Sequence, residues 1–173
     1  MKYIYKVICL LSVLSISAQK INKDYIFYPQ DTGNLYFIFP QKGFTSQNTT
    51  DLKGLEYDVT YLTGSDSLTI SYTYINREIC KPEAVSFLSS DGQVLYKVEA
   101  QMLFVQPLKK NWKHRGTVKI PFAKAVEFYG QGSKPQLQLH TNKQDFRYQI
   151  ANGKWEKQRY LISRVFEIIV NNN

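Results

Sequence analysis

The chain has 173 residues and a formal net charge of +8, with 43% hydrophobic and 21% charged residues. This length suits one domain with a continuous core, and the chain shows no internal repeat, low-complexity tract or Pro/Gly-rich linker that would indicate a second domain. Its two cysteines exclude a disulfide-stapled fold, because one of them lies in an N-terminal apolar segment that we expect to be removed.

The charge is unevenly distributed along the chain. Residues 19–96 have a net charge of −3, whereas residues 97–173 have a net charge of +9. Such asymmetry predicts an acidic partner or an anionic surface as the binding target. A basic face that contacts only solvent is the alternative.

Residues 1–18 have the three-part pattern of a secretory signal peptide. Two lysines precede an eight-residue apolar run, and small residues ending at Ala18 suit a signal peptidase. The run is shorter than the roughly 20 residues that span a bilayer. We therefore predict cleavage after Ala18, or one residue earlier, and an exported domain of residues 19–173 that is periplasmic or secreted in a Gram-negative bacterium.

The stretch "YPQDTGNLYFIFP" contains the Asp-Thr-Gly that holds the catalytic carboxylate in aspartic proteases. Catalysis there needs two carboxylates that share one proton, and this chain has no second D-T-G or D-S-G. Pro29 and Gln30 also interrupt the apolar residues that precede the catalytic Asp in that family. Asp and Gly are turn formers, so we predict that Asp31 and Gly33 turn the chain into the strand "LYFIF".

Alternation of apolar and polar residues predicts an antiparallel hairpin in the next segment. In "LEYDVTYL" the apolar and aromatic residues occupy every second position, and "SLTISYTYI" repeats this pattern after the turn "TGSD". The side chains predicted to face the core are those of Leu55, Tyr57, Val59, Tyr61, Leu68, Ile70, Tyr72 and Tyr74.

Cys80 is the one cysteine of the predicted exported domain. We expect it to be a small buried apolar side chain at a strand end. A reactive thiol, or a disulfide with another chain, is the alternative for an unpaired cysteine in an exported protein.

Residues 84–121 predict three more strands. Ser90-Asp91-Gly92 is a hairpin turn, and every second residue from Val94 to Phe104 could line one face of a long strand. In "NWKHRGTVKIP" one face would carry Trp112, His114, Gly116, Val118 and Ile120. The opposite face would carry Lys113, Arg115, Thr117 and Lys119.

The remainder of the chain predicts a short helix, a hairpin and a long helix. "FAKAVEFYG" suits one or two helical turns closed by Gly130, and "PQLQLHT" with "DFRYQIA" suits a hairpin. Apolar residues recur at helical spacing in residues 152–170, although "VFEIIV" could instead form an edge strand. The predicted fold is mainly β: a single-domain antiparallel β-sandwich or barrel with a C-terminal amphipathic helix.

Motifs for catalysis or cofactor binding are absent from the sequence. His114 and His140 could recruit Glu127 or Asp145 to a zinc ion, but no H-E-x-x-H spacing supports this. No serine lies in G-x-S-x-G, and no phosphate loop or dinucleotide fingerprint is present. We therefore expect no metal, no cofactor and a non-enzymatic role.

The basic stretch "KKNWKHRGTVK" is the strongest binding signal in the sequence. Lysines and an arginine around a tryptophan could bind an anionic partner, and export makes envelope lipid, acidic glycan or acidic protein better candidates than nucleic acid. The predicted ligand-binding residues are Lys109, Lys110, Trp112, Lys113, Arg115 and Lys119.

The sequence therefore predicts an exported binding or cell-envelope assembly protein with a basic contact face. Two alternatives remain. The aromatic inner faces of the sheet could line a cavity, as in a lipocalin-like carrier of a small apolar ligand. A hydrolase of an unrecognised type would require acidic, His or Ser groups from distant segments to meet in one cleft.

Overall fold

The structure is a computed structural model that describes residues 23–47 and 54–171. The predicted signal peptide, residues 1–18, lies outside the described residues, so its cleavage and the export of the chain stay predictions. The described part is mainly β, as the sequence predicted, and all its strand pairs are antiparallel.

The described residues form ten strands and two helices. In chain order these are β1 (Tyr25–Gln30), β2 (Gly33–Ser46), β3 (Leu55–Leu62), β4 (Ser67–Asn76), β5 (Pro82–Leu88), β6 (Val94–Glu99), β7 (Gln101–Leu108), β8 (Asn111–Pro121), α1 (Phe122–Tyr129), β9 (Gln136–Thr141), β10 (Asp145–Ile150) and α2 (Asn152–Asn171). The C-terminal helix is confirmed, and the alternative of an edge strand at "VFEIIV" is wrong.

All ten strands belong to one sheet whose two ends meet. The strand order is β6-β5-β9-β10-β2-β3-β4-β8-β7, with β1 paired beside β2. The end strands β6 and β7 are separated in the chain only by Ala100, whose backbone N–H donates a 2.8 Å hydrogen bond to the carbonyl of Glu83 on β5. The sheet must therefore curve until its ends meet at Ala100, which is the layout of a sandwich or barrel.

The long strand β2 bends within the sheet. Its first part pairs with β1, and its last residues, from Phe44 to Ser46, pair with β10. The pairing with β3 shifts register between Ile38 and Gln41 and again before Phe44. Bulges of this kind bend a strand, so β2 takes part in both halves of the curved sheet.

Alternate strand residues form the core. All eight side chains predicted to face inward from β3 and β4 are buried. Phe128, Tyr129 and Trp155 add aromatic rings from the helices, with the Trp155 ring 5.8 Å from that of Tyr129. The space left among the inner side chains of the sheet and α1 is about 10 Å³, which is at most the room one water needs. The interior therefore gives no support to the carrier alternative.

Helix α2 is fixed to the sheet by Gln158 as well as by its apolar side. The Gln158 Oε1 accepts a 3.0 Å hydrogen bond from the Tyr57 hydroxyl, and its Nε2 donates a 2.6 Å bond to the carbonyl of Lys42. Trp155 donates from Nε1 to the carbonyl of Gln131 at 3.0 Å. These bonds satisfy polar atoms that would otherwise be buried without a hydrogen-bond partner.

The Asp-Thr-Gly segment is a turn, as predicted. Asp31 and Thr32 connect β1 to β2, and Gln30 pairs with Gly33 across the turn. Gly33 has φ +138°, and a Cβ atom there would lie 2.6 Å from the Thr63 carbonyl oxygen. Glycine is required at position 33 because of its backbone conformation and because no room exists for a Cβ atom. The turn therefore accounts for the Asp-Thr-Gly sequence, and a catalytic role is not needed to explain it.

The expectation that Val94 to Phe104 line one face throughout is wrong. Met102 pairs with Gly116 and Phe104 pairs with Arg115, so Leu103 is an extra residue in β7. This bulge reverses the alternation, because one inserted residue moves the following side chains to the other face. Phe104 therefore lies on the outer face, beside Arg115 instead of in the core.

Candidate functional site

The predicted binding residues lie on one hairpin and the strand that extends from it. Lys109 and Lys110 form the two-residue turn between β7 and β8, since Leu108 pairs with Asn111. We define the basic hairpin as residues 101–115, which comprise β7, this turn and the first half of β8. Lys113 lies on its outer face, whereas Trp112 points to the opposite face with Pro107 as its cross-strand neighbour.

The turn of the basic hairpin contains a strained residue. Lys109 has φ 55°, and it is the one non-glycine with positive φ among residues 23–47 and 54–171. A side chain in this left-handed conformation costs roughly 1–2 kcal/mol relative to glycine. Residues with strained backbone conformations often cluster at binding sites, which makes the turn at Lys109 a candidate contact point.

Exposed apolar side chains accompany the lysines of the basic hairpin. Leu103, Phe104 and Leu108 are between 37% and 50% exposed. The Lys113 ammonium lies 6.0 Å from the centre of the Phe104 ring, which is within the range of a cation–π contact. The hairpin thus presents apolar and cationic groups on the same outer surface.

β7 is an end strand of the sheet. Among the strands that the structure describes, it pairs only with β8. Pro107 within β7 suits this position, because proline cannot donate a ladder hydrogen bond and is confined to edges. Beyond Ala100, where the two ends of the sheet meet, the basic hairpin therefore has no paired strand along this side in the described part of the chain.

Arg115 is held by acidic and hydroxyl groups of neighbouring strands. Its guanidinium donates a 2.7 Å bond to Asp58 Oδ2 on β3 and a 3.0 Å bond to Thr73 Oγ1 on β4. Asp58 is buried, at 3% exposure, although it belongs to the outer face of β3. Arg115 neutralises this buried carboxylate, so little of its charge is available to a partner.

Lys119 is distant from the other predicted lysines. It lies on the outer face of β8 opposite Thr69, six residues beyond Lys113. At about 3.3 Å per strand residue the two lysines are about 20 Å apart. The structure therefore groups Lys109, Lys110 and Lys113. Trp112 lies on the opposite face of the same hairpin, Arg115 is paired with Asp58, and Lys119 is distant along β8.

A Ser-His-Asp arrangement was missed by the sequence analysis. Ser86 Oγ lies 2.8 Å from His140 Nε2, and His140 Nδ1 lies 3.0 Å from Asp145 Oδ2. The three side chains come from the adjacent strands β5, β9 and β10. Gln138 donates a further 2.6 Å bond to Asp145, and Arg147 donates a 2.9 Å bond to Gln138.

The solvent exposures of Ser86 and Asp145 are opposite to those of the serine and the aspartate in a catalytic triad. A catalytic serine must be open to substrate, and the orienting aspartate is buried so that it holds the imidazole firmly. Here Ser86 is 1% exposed, whereas the Asp145 side chain is 48% exposed. We interpret the network as a set of hydrogen bonds that joins three strands.

Cys80 and His114 form a second polar group, which is buried. The backbone N–H of Cys80 donates a 3.3 Å bond to His114 Nε2, and Asn76 donates a 3.3 Å bond to the Cys80 sulfur. The His114 ring stacks on Tyr74 at 4.5 Å. Desolvation lowers the pKa of His114 and raises the pKa of the Cys80 thiol, so both groups are held neutral.

The described residues contain neither a metal-binding cluster nor a membrane-spanning helix. In residues 23–47 and 54–171, His, Cys, Asp and Glu side chains form no group of three or more suited to a metal ion. Neither helix of the described part is long and apolar enough to span a membrane. Comparison with known proteins found no family model, no curated protein and no solved structure that matches this chain.

Proposed function

We propose that the protein is an exported envelope-binding protein whose basic hairpin contacts an anionic lipid surface, without catalysing a reaction. The observation that supports this is the presence of two exposed lysines, Lys109 and Lys110, together with the half-buried Lys113 and three exposed apolar side chains on one hairpin. Export is itself part of the proposal and depends on the N-terminal sequence pattern.

Lipid suits this surface better than an acidic glycan. Lysines near an anionic bilayer contribute about 1 kcal/mol each, and apolar side chains add to binding by entering the boundary between head groups and acyl chains. Leu103 and Leu108 have no equivalent use against a glycan, because its surface is mostly polar. The combination of Lys109, Lys110 and Lys113 with these two leucines therefore favours a membrane surface.

Sedimentation with phospholipid vesicles tests the proposal. The protein without its signal peptide should bind vesicles of phosphatidylcholine with phosphatidylglycerol, and binding to phosphatidylcholine alone should be weak. Replacement of Lys109, Lys110 and Lys113 by Gln should lower the affinity about a hundredfold, from about 1 kcal/mol per lysine. The matched control replaces three lysines outside the hairpin, at positions Lys97, Lys134 and Lys154.

A double variant separates lipid from a polar polyanion. Replacement of Leu103 and Leu108 by Ser leaves every charge in place and should weaken vesicle binding several-fold. Retention on heparin, a polar polyanion, should not change in this variant. Equal loss of vesicle binding in the lysine variant and in its control would show that net charge, and not the hairpin, accounts for binding.

A further inference from the structure

A cleft of about 510 Å³ lies between helix α2 and the strands β1 and β2. Its volume is within the roughly 300–1,000 Å³ that small-ligand sites usually have. None of its lining residues belongs to the basic hairpin, so it is a separate feature of the molecule.

The floor of the cleft is apolar. Leu161, Val165 and Ile168 recur at helical spacing on α2 and line one wall. Tyr25 of β1 and Pro40 of β2 line the other wall. Leu161 and Ile168 are only partly buried beside the core, whereas Val165, at 1% exposure, belongs to the core together with Trp155, Ile162 and Ile169.

The rim of the cleft is cationic. Lys157 and Arg164 lie seven residues apart on the same side of α2, and Asp24 is the single acid among the lining residues. Lys157 has no ion-pair partner within residues 23–47 and 54–171. Arg164 donates a 2.7 Å hydrogen bond to Glu167, but both side chains are more than half exposed. Arg164 can therefore readily exchange the Glu167 carboxylate for another anion.

We propose that this cleft binds an amphiphile with one acyl chain and an anionic head group, either a carboxylate or a phosphate. The acyl chain would lie mainly on Leu161 and Ile168, above the buried Val165, and the head group would meet Lys157 and Arg164. Tyr160, also on the rim and 70% exposed, provides an aromatic ring with a hydroxyl where the apolar floor meets water. This site differs from the interior cavity of a lipocalin-like carrier, because it lies between α2 and the strands β1 and β2, whereas the space among the inner side chains of the sheet and α1 is about 10 Å³.

Calorimetric titration of the protein without its signal peptide tests the ligand class. The probes are decanoate, decyl phosphate and decanol, each below the concentration at which it aggregates. We expect one anionic molecule bound per chain, with decanol at least tenfold weaker, and the preferred anion identifies the head group. Decanol binding as tightly as both anions, or no saturable binding of either anion, would overturn the proposal.

Variants on α2 locate the binding. Replacement of Lys157 and Arg164 by Gln should weaken decanoate binding about tenfold or more, whereas replacement of Lys154 by Gln, one turn away and outside the cleft, should not change it. Leu161→Glu places an acid on the apolar floor and should abolish decanoate binding, with folding verified by circular dichroism. Wild-type affinity in the Lys157 and Arg164 double variant would contradict the assignment. Vesicle binding by the basic hairpin is measured separately in the same variants.

Discussion

Arg115 lies over Asp58, and its guanidinium donates a 2.7 Å hydrogen bond to a carboxylate that is almost fully buried. The two residues are separated by 57 positions and meet across β4, the strand between theirs. The sequence assigned Arg115 to a binding surface because no acid interrupts that face of β8. The acid is present on the same face of the sheet, two strands away, and the arginine has a structural role.

Replacement of Arg115 tests that role. Arg115→Gln leaves Asp58 buried without a counter-charge, so we expect a loss of about 3–5 kcal/mol in the free energy of unfolding, measured by urea denaturation. The double variant Arg115→Gln with Asp58→Asn should recover much of this loss, because no charge stays buried. Affinity for anionic vesicles should be unchanged in Arg115→Gln. A stable single variant with weakened vesicle binding would return Arg115 to the contact surface.

Lys109→Gly should change stability and binding in opposite directions. Glycine adopts φ 55° without strain, so the free energy of unfolding should rise by about 1 kcal/mol. Loss of one charge near the bilayer should lower vesicle affinity about fivefold. Lys110→Gly is the matched control, because it removes the neighbouring charge at a position without positive φ. It should lower affinity equally and give no gain in stability.

We expect that Ser86, in the network with His140 and Asp145, does not act as a catalytic nucleophile. Incubation with a fluorophosphonate reagent should give no labelling of Ser86, because this side chain is covered and its aspartate is solvated. Ser86→Ala should lower the free energy of unfolding by about 1 kcal/mol, the usual value of one hydrogen bond. Labelling that is lost in both Ser86→Ala and His140→Gln would instead support the hydrolase alternative.

Stability should depend on pH through His114. Desolvation lowers its pKa in the folded state, so the unfolded chain binds more protons below the ordinary pKa of about 6.5. Stability should therefore be constant above that pH and fall as pH decreases, with a slope of at most about 1.4 kcal/mol per pH unit. Urea denaturation between pH 8 and pH 5 measures this, and His114→Phe should reduce the slope. An equal slope in wild type and variant would show that another group titrates.

Local patterns predicted the elements of the fold well. Alternation identified β3, β4 and their inward residues, and helical spacing identified α2, because both patterns depend only on neighbours in the chain. The outward position of Phe104 could not be predicted. A single bulge at Leu103 moves the side chains that follow it in β7 to the opposite face of the sheet, and the amino-acid composition does not indicate a bulge.

Contacts between strands that are distant in the chain could not be predicted from local sequence patterns. The bond of Arg115 to Asp58 requires β8, β4 and β3 to be neighbours, and the bonds of His140 require β5, β9 and β10 to be neighbours. Strand order in an antiparallel sheet follows from packing of the whole chain, and many orders bury the same alternating residues. The lysines of the predicted site could be found in sequence, but their partners and their separation could not.

Glycine substitution gives the sharpest test of the Asp-Thr-Gly turn. Gly33→Ala should destabilise the protein by about 2–3 kcal/mol, because the new Cβ meets the Thr63 carbonyl oxygen and the backbone φ is +138°. Gly64→Ala is the control: its φ is also positive, at +83°, but no atom lies within 4 Å of its Cβ position. It should cost about 1 kcal/mol. Equal losses in the two variants, measured by urea denaturation, would show that close packing against Thr63 does not explain the requirement for glycine.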